Sequence, residues 1–91
     1  MNHLYVMLQK RERMYEPAPE GKRRRKAVGW IYTWGTHYNG KDYHFSKAIL
    51  DKDMSMMKMS SKEWEDCTAK TAEKEIIALI EKESNVQDRP N

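Results

Sequence analysis

The sequence predicts an α+β domain: a three-stranded antiparallel meander with one long C-terminal helix packed on the sheet, in the order β-β-β-α. Three observations predict it. Two alternating runs rich in aromatic residues flank Asn39-Gly40, and that dipeptide between such runs is the strongest short-range hairpin signal. A further alternating run, residues 4–8, precedes them. After Ser60, apolar residues recur at spacings of three and four, the period of one helix face.

The first strand opens at Leu4, where Leu4, Val6 and Leu8 alternate with Tyr5 and Met7. Apolar on both faces, this start reads as lying inside the sheet. From Lys10 to Arg13 the side chains are charged, so the strand either runs on as an exposed ribbon or frays, ending near Tyr15. Pro17, Pro19 and Gly21 mark a loop, because proline cannot donate a ladder hydrogen bond. The loop carries five adjacent cations, Lys22, Arg23, Arg24, Arg25 and Lys26.

The second strand enters at Ala27 and the third ends near Leu50. A two-residue type I′ turn needs positive φ at both central positions, which Asn tolerates and Gly adopts freely. That turn sets the register. Tyr38 faces Lys41, and counting back pairs Thr36 with Tyr43, Trp34 with Phe45, Tyr32 with Lys47 and Trp30 with Ile49. The other face pairs Gly35 with His44, Thr33 with Ser46 and Ile31 with Ala48. A slip of one residue would set the large aromatics against small residues and destroy the segregation that burial of one face requires. Since aromatics bury roughly 150 to 250 Å² each, the helix is expected over the aromatic face. Trp30, Trp34, Phe45 and Ile49 would then form the core, with both tryptophans largely buried beneath the helix.

Asp51 to Asp53 break the third strand, and Met54, Met56, Met57 and Met59 follow. Methionine fills irregular gaps, so this segment is expected to pack across the sheet edge or the helix. A short fourth strand near 54–59 is the alternative, and an adaptable binding surface is a third reading. Ser60 with Glu63 forms a capping-box signature, and Met59 with Trp64 occupies the positions of a hydrophobic staple. The stripe Trp64, Cys67, Thr68, Thr71, Ala72, Ile76, Leu79 and Ile80 then spans roughly 23 helical residues. Cys67 within it reads as a buried, inert thiol. Residues 1–84 are expected to form a single small domain, with the polar stretch 85–91 as a disordered tail.

At 91 residues and 38% hydrophobic content the chain has room for one modest core, and a homodimer competes on equal terms with a monomer because the apolar stripe outruns a three-stranded sheet. The single cysteine excludes an internal disulfide and a multi-cysteine zinc site, and suits a reducing interior. The apolar run 4–8 is far shorter than a signal-peptide core or a membrane span. A cytoplasmic location is expected, or a nuclear one in a host with a nucleus. His3, His37, His44 and Cys67 show no recognised metal-ligand spacing, and no nucleophile motif is present. The expectation is a non-enzymatic protein without metal or cofactor.

Charge carries the functional reading. Residues 1–50 hold 10 Lys and Arg against 4 Asp and Glu, a balance of +6, whereas residues 51–91 hold 7 against 10, a balance of −3. Such a split presents the sheet and its loop to a polyanion. The run Lys22 to Lys26 can follow a phosphate backbone while releasing its counterions, although similar runs also serve only to solvate loops. Lys10, Arg11 and Arg13 lead into the same loop and would join its patch. Tyr38 and Lys41, near the turn, complete the candidate nucleic-acid-binding set. Stacking on bases by Tyr32, Tyr38, Tyr43 and His37 competes with ordinary cross-strand packing, which the spacing favours. Some DNA-binding modules of the same β-β-β-α order place their sheet in the major groove, which is an analogy of architecture only. The expected partner is DNA or RNA. The competing function is a small protein-interaction or inhibitor module, of the kind viruses and mobile elements encode, acting through its Met-rich segment and helix.

Overall fold

A computed structural model describes residues 2–18, 20–21 and 25–87, with side chains through 84. Its elements are β1 (Met7–Tyr15), β2 (Ala27–Tyr38), β3 (Lys41–Leu50), α1 (Asp51–Met56) and α2 (Ser61–Gln87). The sheet is an antiparallel meander of order β1-β2-β3, with α2 packed across one face. Among the described residues no helix is long and apolar enough to cross a membrane.

Asn39 (φ 51) and Gly40 (φ 75) adopt the positive angles that a type I′ turn requires. The β2–β3 register follows, from Tyr38 opposite Lys41 to Gly29 opposite Leu50, without a break. Every pair expected from the turn is formed. The helix covers the aromatic face, where Tyr32, Trp34, Tyr43 and Ile49 are buried. Trp30 and Phe45 are half-buried at the margin of this core. For Trp30 the expectation of deep burial under the helix is corrected: its ring lies under the Arg13 guanidinium, 4.7 Å away, with that of Arg11 at 6.0 Å.

Two expectations for the first strand are also corrected. It begins at Met7, and β1 is an edge strand because β2 occupies the centre. Leu4 and Val6 alternate as strand residues would, but they pack against Tyr43, Ile76 and Ile80 below the sheet. The Leu4 N–H donates to Glu73 Oε1 (3.2 Å), and Thr36 Oγ1 donates to the Tyr5 carbonyl (2.7 Å). Between Leu8 and Lys10 the ladder with β2 bulges at Gln9, whose side chain lies over Gly35, in space that a Cβ would fill. The strand then runs on to Tyr15 as an exposed ribbon.

No fourth strand forms among the described residues. Residues 51–56 coil into α1, with Asp51 and Asp53 in its first turn, where they meet the positive end of the helix dipole. Lys58, at φ 52, reverses the chain, and the Met59 N–H donates to the Met54 carbonyl (3.1 Å). Met54 and Met59 thereby reach the core, whereas Met56 and Met57 are 79% and 51% exposed.

Ser60 caps α2 as expected, its Oγ accepting from the Glu63 N–H (3.1 Å), and Met59 and Trp64 share the core in the staple arrangement. The helix runs to Gln87, into the stretch expected to be a tail, and residues 88–91 lie outside the described set. At 27 residues it is roughly 40 Å long. Its buried side is one row at intervals of four: Trp64, Thr68, Ala72, Ile76 and Ile80. Cys67 and Leu79, expected within the stripe, are exposed. A single sheet covers only a narrow arc of a helix, and the neighbouring row falls outside it.

Candidate nucleic-acid interface

The candidate cations divide into those the fold engages and those it leaves free. Arg13 projects from β1 on the helix side, opposite Trp30. Its guanidinium donates to both carboxylate oxygens of Asp51 (2.9 and 2.8 Å) and to the Gly29 carbonyl (3.0 Å). The hydrogen bond from Arg13 holds the Asp51 carboxyl below its ordinary range, and the same bond raises Arg13. Arg13 is thus a brace joining β1, β2 and α1. Lys41 is engaged likewise, donating to Glu83 of α2 (2.7 Å) with its ammonium 5.3 Å from the Tyr43 ring. Lys10 pairs with Glu12 on the opposite face of the sheet (2.8 Å).

Of the other candidates, Arg25 and Lys26 lie at the end of the sheet where β1 meets β2. The Glu16 N–H donates to the Lys26 carbonyl (3.0 Å) and closes the neck of the loop. Arg25 and Lys26 are exposed there and make no ion pair with another described residue. Lys22, Arg23 and Arg24 lie outside the described residues. Arg11 is exposed on the helix side of β1, where its guanidinium lies over the Trp30 ring. α1 adds Lys52, which no sequence pattern singled out. Lys26 and Lys52 line one cavity of about 440 Å³, together with Glu16, Val28, Leu50 and Asp51. Lys52 reaches this place from α1, a helix that the Asp51 to Asp53 strand-break pattern does not signal.

Tyr38 and Lys41 stand apart from this group. They lie at the opposite end of β2, 11 residues from Ala27, or roughly 35 Å at strand rise. Tyr38 is half-buried against Tyr43, Ile76 and Ile80. Tyr32, 2% exposed, and Tyr43, also buried, offer no face to a base, and Tyr43 Oη donates to Glu83 (2.7 Å). His37 forms a 2.7 Å pair with Asp42. Cross-strand packing accounts for these aromatics.

The uncovered face of the sheet is close to charge balance. It carries the Lys10–Glu12 and His37–Asp42 pairs, the contact of His44 with Gln9 (2.9 Å) and that of Thr33 with Ser46 (2.9 Å). A sheet laid in a DNA groove needs free cations on that face to meet phosphates, and among the described residues Lys10 is its one lysine or arginine, already paired. No family model matches the chain, nor does any curated protein or solved structure.

Proposed function

We propose that the chain is a small non-enzymatic nucleic-acid-binding protein that contacts phosphates through the β1–β2 loop, working in the cytoplasm or, in a host that has one, the nucleus. One observation carries this reading: Arg25 and Lys26 are exposed and have no acidic partner among the described residues, on a loop that continues through Lys22, Arg23 and Arg24, while Lys10, Arg13 and Lys41 are held within the fold. Arg11 and Lys52 extend the exposed charge from the strand and from α1. The contact is to backbone rather than to bases, because cations on a loop neutralise phosphate charge without the fixed geometry that base edges require. The test is a salt titration of binding to duplex and single-stranded probes. Replacing Arg23, Arg24 and Arg25 together with Ser should weaken binding uniformly across sequences. For every phosphate no longer neutralised, the slope of log K against log salt should fall by roughly 0.7 to 0.9. Absence of binding at low salt, or an unchanged slope in the folded triple variant, refutes the reading.

A second reading rests on Met56 and Met57, which expose thioethers beside an apolar cavity of about 460 Å³ lined by Met14, Leu50 and Trp64 among others. Such a surface suits a protein partner, in the manner of a small inhibitor or accessory module. Capture from lysate that persists after nuclease treatment and is abolished in Met56→Lys/Met57→Lys would favour it over the first.

A further inference from the structure

We infer that β3 is a dimerisation edge, along which two copies of this chain pair antiparallel to make a continuous six-stranded sheet with both α2 helices on one face. The backbone supplies the first argument. In a two-residue hairpin Tyr38 and Lys41 exchange both ladder hydrogen bonds, so the odd-numbered residues of β3 turn their N–H and C=O groups toward β2. Asp42, His44, Ser46, Ala48 and Leu50 turn theirs outward, and among the described residues no strand lies beyond them. The two edges of the sheet differ. β1 has two irregularities in its ladder and the charged run Lys10, Arg11, Glu12 and Arg13, which are devices that discourage edge pairing. β3 has an unbroken ladder, and its centre, 43–46, holds no bulge, proline, lysine or carboxylate.

The helix supplies the second argument. Glu73 reaches Leu4, which places one flank of α2 over the N-terminal segment, while Glu83 reaches Lys41 and Tyr43 and places the other flank over β3. The row containing Glu83 is Cys67, Thr71, Glu75 and Leu79, so the exposed cysteine and the 45%-exposed leucine lie on the side of the open edge. α2 rests over β2 and β3. Two copies joined at β3 would set their helices antiparallel and roughly 10 Å apart, an ordinary helix-packing distance.

Area supplies the third. The chain exposes 7385 Å², against about 5,600 Å² expected for a folded monomer of its mass. The surplus, about 1,800 Å² on one chain, exceeds the roughly 800 Å² that each partner of a standard interface buries. Side chains also limit the register. Centring the pair on Phe45 sets the two phenylalanines together and Lys47 against Tyr43 of the second copy, whereas centring it on His44 would set Lys41 against Lys47.

Light scattering of the full chain, nucleic-acid-free and with reductant present so that Cys67 cannot crosslink copies, tests this. At high micromolar concentration the expected mass is twice 10.9 kDa. Ser46→Pro removes an N–H that points away from β2, and so should leave the hairpin intact while blocking the edge. Leu79→Lys, at an exposed position, sets like charges at the helix contact. Both variants should shift to the monomer mass with wild-type circular dichroism. A monomeric wild type at that concentration overturns the proposal. So does a folded variant of either kind that keeps the dimer mass, and if Ser46→Pro loses its helical signal, Leu79→Lys decides.

Discussion

Trp34 and Trp64 bring the same indole donor into one core and are satisfied differently. Trp34 Nε1 donates to Thr68 Oγ1 (3.1 Å), and Thr68 in turn donates to the Glu65 carbonyl (3.0 Å). Trp64 Nε1 is buried without an acceptor among the described residues, a cost of about 1–3 kcal/mol set against the burial of a large ring. Thr68 is therefore more than a small member of the apolar row. Thr68→Val keeps its volume but orphans the Trp34 donor, so unfolding free energy should fall by about 1–3 kcal/mol. Thr68→Ser, which keeps the hydroxyl, should lose less. Urea denaturation of the three proteins checks this, and equal midpoints for Val and Ser would remove the bond from the account. Spacing alone marks Thr68 as buried, but its partner depends on how α2 lies across the sheet, which no local pattern encodes.

At the scale of elements, two ion-paired clusters hold the layers together: Arg13 with Asp51 ties β1 to α1, and Lys41 and Tyr43 with Glu83 tie β3 to α2. The hydrogen bonds from Lys41 and then Tyr43 hold the Glu83 carboxyl below its ordinary value, as Arg13 does for Asp51. A carboxylate with a depressed folded-state pKa stabilises the fold above its unfolded pKa. That contribution is lost as pH falls through the folded value. Stability should thus decline from the ordinary carboxylate range downward, and Glu83→Gln should flatten that acid limb, as urea midpoints measured across the range would show. An unchanged limb would mean that other carboxylates dominate. The hairpin was legible because Asn39-Gly40 fixes its register within a few residues. These clusters were not, since the cations are evident in the chain but their partners lie 38 and 42 positions away. Leu4 and Val6 misled for the same reason, alternating like a strand while being partly buried against a helix some 70 residues on. The stripe on α2 was legible in position but too wide, because its width depends on how much of the helix one sheet covers.

For the molecule as a whole, α2 alone carries 4 lysines against 7 acidic residues, while the exposed Arg25 and Lys26 lie where β1 meets β2, with Arg11 and Lys52 nearby. A polyanion is therefore drawn to one end and repelled along the helix. The extents of 58 × 31 × 19 Å and the Cα radius of gyration of 17.1 Å exceed the roughly 12 Å expected of a compact domain this long. One helix on one thin sheet leaves much surface without a second layer.

The two-residue turn between β2 and β3 also orders events in time. Its ladder joins residues 3 to 21 positions apart, whereas docking of α2 joins Trp34 to Thr68 and Tyr43 to Glu83. Chain closure over short loops is fast and costs little entropy, so the hairpin is the natural nucleus, and α2 condenses on a face already assembled. Gly40→Ala, which forces a side chain to φ 75, should then slow refolding while leaving the unfolding limb of the chevron nearly unchanged. An effect confined to the unfolding limb would show that the turn closes late, after the helix has docked.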